Sequence, residues 1–276
     1  MKSVDEEKGE DQVLAQRVGN NSMNAKEKLL LSLSKEPGTG DSKREEEWTI
    51  ENALNLLHRL FLDFDEMIKR KEILDFGCGE GYQAVAIALK GAKHVVGLDI
   101  REKMLQKGRE LAARYKVEDR VDFCERMDEA LIHKFDIVIS QNSMEHCSNP
   151  SEALEQMKLA LRGKGIVGIR FGPPWFAPYG GHINFFTKIP WVHVIFDEKT
   201  VMNVRTHFRS DGACRYDELE GGLNRMSVKR FEEVVSKSGL KIAYRKYDCV
   251  KKLNLLGKIP FLRECFINQL NCILEP

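Results

Sequence analysis

This 276-residue sequence predicts an α/β fold with a doubly wound parallel sheet, on three observations. From residue 48 onward, short apolar runs alternate with stretches of helical period. A glycine-rich string, Gly77-Cys-Gly-Glu-Gly81, stands where a strand runs into a helix. An aspartate, Asp99, closes the next strand, eighteen residues after Gly81.

Residues 1–47 hold 8 basic and 11 acidic side chains and no aromatic one. Most of this stretch lacks the apolar surface that would offset its ordering entropy, so it reads as a flexible N-terminal arm. One piece, Asn24 to Leu33, has helical character and ends at the breaker cluster Pro37-Gly-Thr-Gly40. Ile50, Leu54, Leu57, Leu60, Phe61 and Phe64 then recur at helical spacing through about Lys69. Glu72–Phe76 is a short buried strand, Tyr82–Lys90 an Ala-rich helix closed by Gly91, and His94–Asp99 the second strand. A helix over Met104–Tyr115, a strand over Val121–Cys124 and a stronger strand over Phe135–Ser140 follow. Asn149 caps the next helix, with Pro150 at its first position. Gly165–Phe171 is a fifth strand. Regular patterning pauses over 172–226, then resumes with a helix from Ser227 to Ser238 that Gly239 ends. Leu240–Val250 and Phe266–Leu274 read as the last two strands.

Composition narrows the function. With 43 basic against 42 acidic residues, the net charge is +1, which argues against a general nucleic-acid binder. At 42% hydrophobic and 31% charged residues, the chain reads as soluble and globular. No apolar run approaches the length of a membrane span. The acidic start, MKSVDEEKGE, is neither a secretory signal nor a transit peptide. The seven cysteines are scattered, odd in number and never spaced C-x-x-C. They suit reduced thiols of a cytoplasmic protein better than a disulfide framework, and no metal site is expected.

The glycine loop carries the chemistry. Glycines let the main chain turn sharply and let a ligand approach it closely. The helix behind them offers free N–H groups to an anion, and Asp99 is placed to take ribose hydroxyls. A dinucleotide fingerprint would read G-x-G-x-x-G, whereas here the third glycine arrives one residue early. The string Leu74-Asp-Phe-Gly-Cys-Gly-Glu-Gly81 resembles motif I of the class I S-adenosylmethionine-dependent methyltransferases, and the likeness runs over residues 70–171 and again from 227 to the C-terminus. Phe135-Asp-Ile-Val-Ile-Ser-Gln-Asn-Ser-Met-Glu-His146 resembles that family's fourth-strand motif. The resemblance implies a Rossmann-like sheet of seven strands, the last antiparallel, and S-adenosylmethionine as cofactor. By position, Gly77, Cys78, Gly79 and Gly81 would lie along the methionine portion. Asp75 would orient that loop or reach the ammonium. Asp99 would hold the ribose, Ile100 would pack on the adenine, and Ser140 and Gln141 would line the same cleft. One position departs from the pattern. Where the family carries an acidic residue for the adenine amino group, Met127 stands, with Asp128 one residue late. Either Asp128 serves or the backbone does.

Residues 172–226 follow strand five, at the sheet edge where α/β proteins bind ligands. The resemblance implies a substrate cap here, inserted into a methyltransferase domain spanning 48–276. Trp175 and Tyr179 are candidates for an acceptor pocket, and Arg209 for an anionic group. His182, beside two glycines, and His146 are the candidate general bases, while His193, among apolar residues, reads as a core histidine. The expectation is methyl transfer to an O or N atom of a small molecule. A non-catalytic relative, a nicotinamide oxidoreductase and a protein or RNA methyltransferase are the alternatives.

Overall fold

The computed structural model describes residues 23–35, 48–219, 221–250, 257, 259 and 262–276. Seven strands form one sheet: β1 Glu72–Phe76, β2 His94–Leu98, β3 Val121–Cys124, β4 Phe135–Gln141, β5 Leu161–Phe171, β6 Lys241–Cys249 and β7 Ile267–Glu275. Their order is β3-β2-β1-β4-β5-β7-β6. The first five strands pair parallel, and β7 runs antiparallel to both β5 and β6. The doubly wound sheet with an antiparallel last strand is thus present. Among the described residues no helix is long and apolar enough to cross a membrane.

The helices are α1 Ala25–Ser32, α2 Ile50–Leu60, α3 Phe64–Met67, α4 Tyr82–Leu89, α5 Glu102–Arg114, α6 Pro150–Ala160, α7 Val192–Ile195, α8 Glu198–Arg205, α9 Val228–Ser238 and α10 Arg263–Phe266. One apolar layer packs α2, α4 and α5 on one sheet face through Leu57, Val85 and Leu111. The other packs α6 and α9 on the opposite face through Met157 and Phe231. Helix ends follow local chemistry. Thr49 accepts from the Asn52 N–H at 3.1 Å, Asn149 from that of Glu152 at 3.3 Å and Ser227 from that of Arg230 at 3.1 Å. Gly239 closes α9 at φ +77°.

Two elements differ from the sequence expectation. The helix expected through Lys69 breaks after Leu60, where Phe61 turns extended at φ −122°, ψ 129°. The break inserts the buried Phe61 ring against the sheet, where a Cβ on Gly168 would lie 2.3 Å from it. Strand five begins at Leu161 rather than Gly165. There Arg162 grips Asp136 on β4 with a two-pronged hydrogen bond of 3.1 and 2.7 Å, extending the pairing beyond the apolar run.

The 172–226 segment has a core of its own, with Ile183, Phe186, Val201, Val204 and Phe208 clustered and the Phe186 and Phe208 rings stacked at 5.0 Å. Leu30 of α1 completes that core, fully buried. Glu27 accepts from Asn203 on α8 at 2.6 Å, and the Lys35 N–H donates to the Phe186 carbonyl at 2.8 Å. Residues 23–35, part of the stretch read as an arm, are therefore packed onto the cap. The breaker cluster at 37–40 lies outside the described residues.

Candidate cofactor cleft and acceptor cavity

Two cavities flank the carboxyl ends of the strands. The first, of about 970 Å³, lies between the glycine loop and α2. The loop turns through three glycines at positive φ, Gly77, Gly79 and Gly81, of which the first two line the cleft. Gly77 sits at φ +78°, donates its N–H to the Leu98 carbonyl at 2.7 Å, and passes so close to Ser143 that an added Cβ would lie 2.5 Å from its Cβ. Gly79 sits at φ +52° and donates to Asp99 Oδ2 at 2.9 Å. L side chains avoid this left-handed region.

Asp75, Gly77, Cys78, Gly79 and Gln141 line the cleft. Asp75 is buried at the end of β1 and accepts from Gln83 Nε2 at 2.6 Å through Oδ1. The Ala84 N–H also bears on the carboxylate, but Oδ2 has no sound hydrogen bond. Burial, reinforced by the charge of Asp99, pushes its pKa up to about 7, against the lowering effect of Gln83. Gln141 Nε2 is likewise buried without a partner. Two residues that line the same cleft thus carry a buried unpaired acceptor and a buried unpaired donor, each costly to leave unmet. Burial raises the Cys78 thiol well above its ordinary value, so it stays protonated.

Other expected cofactor residues sit elsewhere. Asp99 is 6% exposed and bound to Gly79 and Arg101 rather than open to the cleft. Gly81 is a packing position, since a Cβ there would meet the Phe123 ring at 2.7 Å. Gly97 and Gly108 make room for the same ring. Ser140 is buried and hydrogen-bonded to Ser143, tying β4 to the end of β1. Ile100 is 85% exposed. Met127 packs partly buried against the sheet core, and Asp128 is exposed ahead of a short 3-10 turn. Gly81, Asp99, Ile100, Met127, Asp128 and Ser140 are all absent from the lining of the cleft. Its second wall is α2, with Asn52, Asn55 and Arg59 facing in, together with Trp48 and Arg101. These residues were missed in the sequence. The signal was there, in polar residues spaced three and four apart along an otherwise amphipathic helix.

The second cavity, of about 650 Å³, lies under the cap. His146, His182 and Arg209 line it, with Phe185, Arg205, His207 and Asp211. The turn after β4 borders both cavities, with Gln141 and Asn142 lining the first and His146 the second. His146 Nδ1 lies 2.6 Å from the Gly222 carbonyl. A carbonyl only accepts, so Nδ1 is the donor there, and the tautomer this contact selects in a neutral ring has Nε2 as its acceptor. His182 stands edge-on to that ring at 5.5 Å between centroids. Its backbone is at φ +53°, its ring hydrogen-bonds the Pro173 carbonyl, and its Nε2 is buried without a partner. Burial, with His146 and His193 nearby, lowers its pKa to about 4, so it is uncharged at neutral pH. Arg209 lies 4.9 Å above the Phe185 ring, and Arg205 forks onto Asp211 at 2.6 and 2.5 Å.

Trp175 and Tyr179 line neither cavity. Trp175 is packed between His193 and Tyr216 at 4.8 and 5.0 Å, with Arg225 above it. Tyr179 is exposed, its hydroxyl 3.4 Å from the Lys188 carbonyl. The aromatic residues near Pro173 build the cap rather than the cavity. His193 is buried and bonded to the Trp175 carbonyl at 2.5 Å. No cluster of metal-ligating side chains occurs among the described residues.

A family model described as a methyltransferase domain matches residues 68–170. A ubiquinone biosynthesis O-methyltransferase of Neisseria meningitidis serogroup C is 32% identical over 117 residues, 41% of this chain and 49% of that protein. A ribosomal protein L11 methyltransferase of an Enterobacter species is 36% identical over 73 residues, 26% of this chain and 25% of that protein. The chain thus spans about half the length, or less, of the curated relatives it matches. Among solved structures, an S-adenosylmethionine-dependent methyltransferase from Mesorhizobium loti superposes with a TM-score of 0.53 at 17% identity, over 83% of this chain and 98% of that one. The [4+2]-cyclase SpnF superposes at 0.54 and 12% identity, over 84% of each chain, so the structural likeness shows the fold alone. Residues 68–170 thus match a methyltransferase domain, and the chain has the fold of the S-adenosylmethionine-dependent methyltransferases on which it superposes.

Proposed function

We propose that the protein transfers a methyl group from S-adenosylmethionine to an oxygen or nitrogen atom of a small molecule held under the cap. The supporting observation is the pair of unmet groups in the cleft. Asp75 Oδ2 is an acceptor suited to an ammonium, and Gln141 Nε2 is a donor suited to a carboxylate. An amino-acid end satisfies both, and Asp99 at the tip of β2 suits a ribose. The names of the curated relatives favour oxygen as the atom methylated.

When bound, the cofactor supplies an activated methyl on a sulfonium. The chain then has to align an acceptor with it and accept a proton. His146 is the candidate base, because Gly222 fixes its tautomer and leaves Nε2 as the acceptor. His182 beside it, neutral and with its Nε2 unpaired, accepts a hydrogen bond and orients the ligand. Arg209 and Phe185 form the far end, suited to a flat or anionic group.

Calorimetric titration with S-adenosylmethionine, S-adenosylhomocysteine and NAD in parallel tests the cofactor. Binding of the first two alone is expected. Binding of NAD, or of none of the three, overturns the proposal. Binding of the adenosyl ligands without methyl transfer from labelled donor to any small acceptor would instead favour a non-catalytic relative.

A further inference from the structure

Asp99, expected to meet the cofactor's ribose, is fully engaged by the chain itself. Its Oδ1 accepts from the Arg101 backbone N–H and from Arg101 Nε, both at 3.0 Å. Its Oδ2 accepts from the Gly79 N–H at 2.9 Å and from Arg101 Nη2 at 3.2 Å. A carboxylate offers about four lone-pair sites, and all are taken.

The four donors are of two kinds. The backbone donors belong to the glycine loop and the start of α5, and they fix the orientation of the carboxylate. The other two are the prongs of one guanidinium, one on each oxygen, on a side chain that is 40% exposed. A vicinal diol presents the same pattern, one hydroxyl donor to each oxygen. The guanidinium also lies over the glycine loop, with Nη2 3.9 Å from where a Cβ on Gly79 would be, and Arg101 lines the cleft. Diol and guanidinium therefore compete for one place.

We propose that Arg101 is the resident occupant of the ribose-binding carboxylate, and that ligand entry exchanges its guanidinium for the two ribose hydroxyls. This rests on the adenosyl reading of the cleft. The exchange keeps the buried Asp99 paired throughout, as leaving that charge unmet would be expensive. Because Arg101 leaves before any adenosyl ligand seats, it sets the affinity of donor and spent cofactor by the same factor.

The test is calorimetry with S-adenosylhomocysteine and S-adenosylmethionine on wild type, Arg101→Gln and Arg101→Lys. Arg101→Gln should bind both ligands about three- to tenfold more tightly, by equal factors, the range a partly exposed forked ion pair allows. Arg101→Lys, with a point charge and no fork, should fall between. The advantage of Arg101→Gln should shrink as salt rises, because salt already weakens the wild-type pair. In an Asp99→Ala background, the tighter binding of Arg101→Gln should be lost, since no carboxylate is left for guanidinium and ribose to compete for. In NMR spectra, the Arg101 Nε–H signal should be protected in the free protein and exchange with solvent once S-adenosylhomocysteine is added. Equal or weaker binding by Arg101→Gln, in a variant whose ligand-free melting matches wild type, would make Arg101 a support for Asp99 and overturn the exchange alone. A wild type that binds neither ligand overturns the cofactor reading with it.

Discussion

The cofactor cleft and the cap cavity are built by opposite means. The cleft is shaped by main chain, with Gly77 and Gly79 at positive φ and the Asp75 carboxylate at the tip of β1. The cap cavity is shaped by side chains from distant stretches, with His146 after β4, His182 in a turn and Arg209 beyond α8. Backbone geometry at a strand–helix turn is a local property, so few residue types satisfy it. A side-chain cavity depends on which segments fold together, and many sequences build one. The first kind of site therefore tolerates little substitution, whereas the second can change ligand while keeping its fold.

The largest expected effect separates the two on chemistry. With an acceptor found by labelled-methyl screening, His146→Ala should lower turnover by about 10²–10⁴ and leave S-adenosylmethionine affinity near wild type. Equal loss of both would place His146 in the cofactor cleft and collapse the distinction.

Next is Gly77→Ala. It imposes a left-handed strain of roughly 1–2 kcal/mol and a Cβ overlapping Ser143, for which overpacking costs about 1–3 kcal/mol. Cofactor binding and melting temperature should both fall. Adding Ser143→Gly should restore the steric part only. Full restoration would mean that the positive φ is unstrained.

A smaller effect contrasts the sites by titration. Asp75, raised to about 7, keeps in the folded state a proton that the unfolded chain has already released. Its contribution to stability therefore declines as pH rises from the ordinary carboxylate range to about 7. His182, lowered from 6.5 to about 4, refuses a proton that the unfolded chain binds, so its contribution declines as pH falls through that window. The two oppose each other in the wild type. Asp75→Asn should leave melting temperatures that climb with pH from 4 to 6.5, and His182→Gln temperatures that drop from 4 to 7. Parallel curves for both variants and wild type would remove the proposed burial of both groups. The same carboxyl predicts that ligand binding at pH 6 releases a proton, measurable as a dependence of binding enthalpy on buffer, and that Asp75→Asn abolishes it.

The smallest effect is Tyr179→Phe. The exposed hydroxyl makes one long contact, so turnover and stability should stay within experimental scatter. A marked loss of turnover would extend the acceptor site across the outer face of the cap.

Much of the molecule was legible along the chain. The five parallel strands and their helices follow apolar period and cap residues, as at Asn149-Pro150 and Ser227. The glycine loop and Asp99 marked one end of the cleft. Not legible were the second wall on α2, the Arg101 fork on Asp99 and the docking of α1. The fork joins neighbours in sequence, but only the turn at Arg101 folds its side chain back onto the carboxylate. Leu30 meets Val201 and Phe208 across most of the chain's length. Trp175 and Tyr179 were attractive as pocket residues by type, but Trp175 packs against the cap's own core and Tyr179 lies on its outer surface.

By itself, the sequence determined what short-range physics governs: strand and helix period, where helices start and stop, and which backbone positions demand glycine. The tertiary structure alone decided which side chains share a cavity and which nitrogen of His146 holds its proton. It also decided which carboxylates are buried deeply enough to lose their ordinary titration. These properties depend on contacts between residues tens to more than a hundred positions apart, and hydrophobic period records that a residue is buried without recording what it is buried against.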